Sequence, residues 1–82
     1  MMGFYVCAER PTSDGRMDML VQTSDYVYIF EFKINQSAEV ALQQIDAKNY
    51  VAPFEADNRK IFKIGVNFST QLRRIDDWKI VE

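Results

Sequence analysis

No histidine occurs among the 82 residues. That excludes a Ser-His-Asp triad, a Cys-His pair and a histidine-ligated zinc. The single cysteine, Cys7, has no partner for an internal disulfide and no histidine to activate it. It reads as a small buried hydrophobe in a strand. No run of about 18 apolar residues is present, so no membrane span is expected. The N-terminus lacks the basic and apolar segments of a signal peptide. With the lone cysteine, this points to the cytoplasm. Carboxylates, lysines and glutamines are what remain for chemistry.

The length predicts one small domain over residues 1–82. A chain this short buries only about two thirds of its unfolded surface, so its stability margin is thin. Hydrophobic residues make up 48%, which argues for a globular fold and against disorder. The net charge of -2 does not advertise a nucleic-acid binder. The charge is uneven, however. Residues 1–57 carry nine acids against four bases, and residues 58–82 carry six bases against three acids. An acidic cradle beside a basic flank suits a phosphate backbone; a solvated mixed surface has the same composition.

Five strands and one helix are predicted. Phe4 to Glu9 reads as a first strand, followed by the turn-forming run Pro11-Thr12-Ser13-Asp14-Gly15. Arg16 to Thr23 is the second strand, and Ser24-Asp25 a tight turn. Tyr26 to Ile34, rich in aromatic and β-branched residues, is the third. It alternates Tyr26, Tyr28, Phe30, Phe32 and Ile34 on one face with Val27, Ile29, Glu31 and Lys33 on the other. Both faces begin apolar, which predicts a central strand covered on both sides. Asn35 or Ser37 caps the helix that follows, whose buried stripe is Ala38, Ala41, Leu42, Ile45 and Ala52, with Pro53 at its exit. Gln44 and Lys48 flank that stripe. After a turn at Asp57-Asn58, Lys60 to Phe68 reads as a fourth strand, weakened or bulged at Gly65. Leu72 to Val81 is an amphipathic edge strand, kept polar by Arg73, Arg74, Asp76 and Asp77, with Trp78 as a packing anchor.

The chemistry-bearing constellation is Gly15-Arg16-Met17-Asp18 followed, after the hairpin, by Glu31-Phe32-Lys33. Side chains two apart in a strand share a face, so Glu31 and Lys33 emerge side by side, and Asp18 approaches from the neighbouring strand. Two acids beside one lysine can hold a divalent cation and activate a water, as cutting a phosphodiester requires. The acids keep such a lysine charged, which suits it to electrostatic stabilisation. The plain structural alternatives are a strand-edge aspartate next to Arg16 and an exposed ion pair of little energetic consequence.

These residues, with Ala41-Leu42-Gln43-Gln44-Ile45 and Tyr50, resemble a PD-(D/E)XK nuclease-superfamily domain of the type at the C-terminus of bacterial AAA-ATPase-like proteins. Ile64-Gly65-Val66-Asn67-Phe68-Ser69 and the later Trp78 fit the same family, so the resemblance covers nearly the whole chain. It implies an α/β (α+β) restriction-endonuclease-like mixed sheet in the order β-β-β-α-β-β. It implies catalysis by Asp18, Glu31, Lys33 and Gln44, with Mg²⁺ or Mn²⁺ as cofactor. Asp18 and Glu31 are the implied metal ligands, with the Phe32 carbonyl, and Glu9 one strand earlier as a possible addition. Lys33 would orient or deprotonate the attacking water, or stabilise the charge developing on phosphorus. Gln44 would contact metal-bound water or the nucleic acid, most readily DNA.

Three departures accompany the resemblance. Superfamily members usually begin with a helix before the first strand, and this chain starts almost at the strand. The expectation is a domain truncated at its N-terminus, with one sheet face left for a partner or a homodimer to cover. Related recombination nucleases carry a tyrosine four residues after the helix glutamine; here Lys48 stands there and Tyr50 is displaced. No Gly-x-x-x-x-Gly-Lys run occurs, so an ATPase partner would lie outside the chain. The departures also fit two non-catalytic readings. One is a remnant acting as a protein-interaction or oligomerisation module, and the other a DNA-binding module that keeps the basic half without the chemistry.

Overall fold

The third strand is where sequence and fold agree to the residue. A computed structural model describes the backbone of residues 5–12, 15–56 and 58–82, and side chains within those ranges from Asp18 onward. The strands are β1 (Tyr5–Thr12), β2 (Gly15–Gln22), β3 (Tyr26–Ile34), β4 (Lys60–Ser69) and β5 (Arg74–Val81). Helix α1 (Ala38–Ala47) and a 3-10 turn (Ala52–Phe54) connect β3 to β4. The five strands form one sheet in chain order. Every neighbour is antiparallel except β3 and β4, which run parallel because α1 carries the chain back across the sheet. This is the mixed α+β architecture that the element order predicted, and it is compatible with the restriction-endonuclease-like fold that the resemblance implied.

A two-residue turn joins β2 to β3. The Thr23 N–H donates to the Tyr26 carbonyl at 2.8 Å, and the Thr23 hydroxyl accepts from the Asp25 and Tyr26 N–H groups. Arg59 then ties this turn to the start of β4, donating to the Thr23 carbonyl and to Gln22 Oε1. Pro11 and Thr12, expected in a turn, instead belong to β1. A proline is tolerated there because β1 is an edge strand. Cys7 is also on β1, and its side chain lies outside the described residues, as does Asp57.

Among the described residues, the helical segment covers one face of the sheet and nothing covers the other. Leu20, Val27, Ile29, Ile45, Tyr50 and Phe54 form the core between the sheet and the helical segment. Ser37 caps α1, its hydroxyl accepting from the Val40 N–H at 3.1 Å. Ala38, Ala41 and Ile45 are buried as the periodicity predicted, but the helix ends at Ala47 and Ala52 is exposed in the 3-10 turn. Gly65 neither breaks nor bulges β4. A Cβ there would lie 2.3 Å from the Ala38 carbonyl oxygen, so the missing side chain lets α1 lie directly on the strand.

The expectation that β3 is covered on both sides fails. Tyr26, Phe32 and Ile34 of β3, Phe68 of β4, and Ile75, Trp78 and Ile80 of β5 are exposed, and nothing among the described residues packs over their side of the sheet. Alternation shows that a face is apolar; it does not say what covers it. Trp78 is 63% exposed and so is no packing anchor. The aromatic side chains partly shield one another, with Tyr28 stacked on Phe62 at 5.4 Å and Phe30 on Phe32 at 6.1 Å.

At the far edge, β5 is irregular. Asn67 pairs with Asp77 while Phe68 pairs with Ile75, so Asp76 is an extra residue at a bulge. Asp77 Oδ2 accepts from the Ala38 N–H at 2.9 Å, and Asp76 Oδ1 accepts from Asn67 Nδ2 at 2.8 Å. The buried Asn67 in turn accepts from the Gln36 N–H at 2.8 Å. Asn35, at a φ of 55°, makes the turn into this region and exchanges hydrogen bonds with Thr70.

Candidate functional site

The site lies where β2 and β3 stop pairing. Their ladder runs from Gln22↔Val27 to Met19↔Phe30. One step further, Asp18 comes level with Glu31, on the face that holds Leu20 and Ile29 in the core. The Asp18 carboxylate takes over from the ladder, as its Oδ2 accepts from the Phe32 N–H at 2.8 Å. A backbone donor therefore fixes the first carboxylate. Phe32 contributes through its backbone, since its ring belongs to the open face.

Glu31 is only 3% exposed. Its Oε2 is 3.7 Å from Lys33 Nζ, while its Oε1 is buried with no hydrogen-bond partner. Burial, and after it the negative charge of Asp18, pushes the Glu31 carboxyl up to about 7, with the Lys33 ammonium opposing the shift. A buried carboxylate oxygen without a partner is costly, and native folds seldom keep one without a reason. Lys33 itself is held from the helix side, donating to Gln44 Oε1. The helix thus fixes the ammonium beside Glu31 on the covered face of the sheet.

Four of the residues expected at the site therefore come together: Asp18, Glu31, Lys33 and Gln44. Glu9 is on β1, and its side chain lies outside the described residues. The pairs Ala8↔Met19 and Arg10↔Met17 put its backbone at the register position opposite Asp18. Lys48, one turn after Gln44, is the exposed C-cap of α1. Tyr50 is a core residue. Among the described residues no cluster of three or more Asp, Glu, His or Cys side chains is present. The donor set available is the Asp18 and Glu31 carboxylates, hard oxygen ligands of the kind Mg²⁺ prefers alongside retained waters. The unpartnered Glu31 Oε1 is the observation that fits a cation there.

Sequence reasoning missed Asn67, Asp76 and Asp77, which tie the start of α1 to β4 and β5. The signal available was a polar residue, Asn67, within an apolar strand; it needed the β3–β4 register to be read, because Asn67 is the cross-strand neighbour of Lys33.

The family model for the PD-(D/E)XK nuclease superfamily matches residues 1–78. The chain belongs to this superfamily. Membership suggests a nuclease-like function, PD-(D/E)XK nucleases generally use divalent metals, and the superfamily implies nucleic-acid binding in general. The chain is also 40% identical over 76 residues to an Azotobacter chroococcum mcd 1 protein known as "Uncharacterized protein in vnfD 5'region". That match covers 90% of this chain and 15% of the relative's length. No solved structure matches. Among the described residues, no helix of this PD-(D/E)XK domain is long and apolar enough to cross a membrane.

Proposed function

We propose that this domain hydrolyses phosphodiester bonds in nucleic acid, with DNA as the substrate. Asp18 and Glu31 would hold Mg²⁺ or Mn²⁺, with the Phe32 carbonyl and Glu9 as further ligands. The observation that carries this reading is the buried, unpartnered Glu31 oxygen level with Asp18. A bound divalent cation lowers the pKa of a water and polarises phosphate. Glu31 stays poised for this role because its carboxylate is dry and only partly compensated by Lys33. Lys33 offers a fixed positive charge where negative charge develops on the phosphate oxygens, and Gln44 keeps that ammonium from collapsing fully onto Glu31. Without histidine in the chain, proton transfer falls to water, Lys33 or a carboxylate.

Cleavage of supercoiled and linear DNA in Mn²⁺, with a chelator control, is the direct test. The expected result is metal-dependent nicking that Lys33→Ala abolishes while the variant's melting curve stays cooperative. Cleavage by Lys33→Ala at the wild-type rate would remove Lys33 from the mechanism.

A second reading is favoured by the open apolar face. It is a non-catalytic module whose uncovered sheet mediates assembly. In either reading we propose that the face is buried in a homodimer, because an apolar patch of this extent is unusual on a free surface. Trp78 is a built-in reporter, since burial of an indole that is 63% exposed shifts its emission to the blue. Sedimentation should show dimers at tens of micromolar (an order-of-magnitude working range for a modest interface), with a parallel blue shift that Phe32→Ser, on the same face, abolishes. A monomeric profile at high concentration with unchanged emission would count against it. The further context proposed is an AAA-type ATPase domain or protein outside this chain, in the reducing cytoplasm that a lone Cys7 suits.

A further inference from the structure

We infer that Asn67, Asp76 and Asp77 form a positioning clamp that sets the Lys33 ammonium by fixing α1 on the sheet. The inference rests on reading Lys33 and Gln44 as site residues. Gln44 reaches Lys33 only because α1 lies at one height and one rotation over β3 and β4. Ile45 seats the helix in the core and Asp46, near its C-terminal end, pairs with Lys63 of β4, but the first turn, where the small Ala38 and Ala41 face Gly65, keeps freedom to shift. Directional bonds at the start of α1 remove that freedom. The Ala38 N–H is held by Asp77, and the Gln36 N–H just before the helix by Asn67.

The bulge in β5 is the device that makes this possible. Neighbouring residues of a regular strand point to opposite faces. The extra residue at Asp76 breaks that rule, so two consecutive carboxylates serve the same corner. Asp77 accepts directly from the helix start, where a negative charge is also favoured by the helix dipole. Asp76 accepts from the Asn67 amide and so orients its carbonyl oxygen toward Gln36. Asn67 is 1% exposed, and both ends of its amide are engaged, so its orientation has one solution. It stands beside Lys33 across the parallel ladder. The clamp therefore sits one strand from the ammonium it positions, and among the described residues Asp76 and Asp77 bond to Asn67 and Ala38, away from Lys33, Glu31 and Asp18.

The test is the side-chain ¹H–¹⁵N resonance of the Lys33 ammonium, assigned by its disappearance in Lys33→Arg. A held ammonium gives a visible, slowly exchanging signal; a free one is lost to exchange with water. Wild type should show the signal. Asp77→Ala should lose it, Asp77→Asn should restore it by supplying an amide oxygen to Ala38, and Asp76→Ala should weaken it. Asp76 is exposed, so its truncation leaves the core intact. A folded Asp76→Ala or Asp77→Ala protein with the wild-type signal overturns the clamp. If wild type itself lacks the signal, the Lys33–Gln44 contact fails, and the clamp with it. A purely structural role for Asp77 would lower the melting temperature without moving the Lys33 resonance, and that outcome also overturns the proposal.

Discussion

Millimolar Mn²⁺ will raise the melting temperature of the wild-type domain and leave that of Asp18→Asn unmoved. A ligand that binds only the folded state adds about 2.7 kcal/mol at a hundred times its dissociation constant. In a domain of this size each kcal/mol moves the midpoint by about 4–8 °C, so a shift of roughly 10–20 °C is expected once the site is saturated. Asp18→Asn is a clean control because an asparagine oxygen can still accept from the Phe32 N–H that Asp18 now engages. It removes the charge and leaves the local bond. The wild-type shift should also grow between pH 6 and pH 8. The Glu31 carboxyl holds its proton up to about 7, and a cation must displace that proton to bind. Equal responses from the two proteins would mean that the cation binds elsewhere. No response from either would favour the non-catalytic module.

Much of the site was legible because its residues are close in sequence and their geometry is local. Glu31 and Lys33 share a face by strand periodicity, and the two-residue turn at Ser24-Asp25 sets which residue of β2 meets them. The aromatic and β-branched run from Tyr26 to Ile34 marked β3 to both of its ends. Helical spacing placed Gln44 beside the stripe of Ala41 and Ile45, and the family resemblance made it a site residue. What escaped depends on contacts distant in sequence. Gly65 looked like a flaw in β4 until α1 was seen lying on it. Trp78 looked like an anchor, because large aromatics usually are, but its face of the sheet has no cover among the described residues. Asp76 and Asp77 looked like charges guarding an edge strand. They do sit on the edge, yet around the bulge, which no local pattern announces, Asp77 holds the start of α1 and Asp76 holds the Asn67 amide. Glu9 shows the opposite limit: the register brackets its backbone opposite Asp18, and its side chain lies outside the described residues.

In the presence of a chelator, Glu31→Gln will make the domain more stable at pH 8 and will not do so at pH 4. The Glu31 carboxyl rises from 4.5 to about 7 on folding, mainly because burial disfavours its charged form. A carboxyl whose pKa is raised in the folded state is protonated there at little cost below pH 4.5. Between 4.5 and 7 the unfolded chain loses its proton first, and the folded state falls behind. Above 7 the whole penalty is present. At 1.36 kcal/mol per pKa unit the span corresponds to about 3 kcal/mol. Glutamine keeps the shape and carries no charge, so wild-type stability should decline relative to the variant's through this window. The buried amide still needs hydrogen-bond partners, which trims the expected gain at pH 8 to about 1–3 kcal/mol. Denaturant melts at pH 4, 6 and 8 measure it. Parallel curves for the two proteins would show that Glu31 is not a strained, buried carboxylate. The predicted divergence would mean that the fold holds an uncompensated negative charge at a cost that Lys33 does not cancel. A cation bound between Asp18 and Glu31 would cancel it, so the same substitution that stabilises the metal-free domain should abolish its response to Mn²⁺. Stability gained and ligand response lost through one oxygen-to-nitrogen exchange is a pairing that an ordinary surface ion pair does not produce.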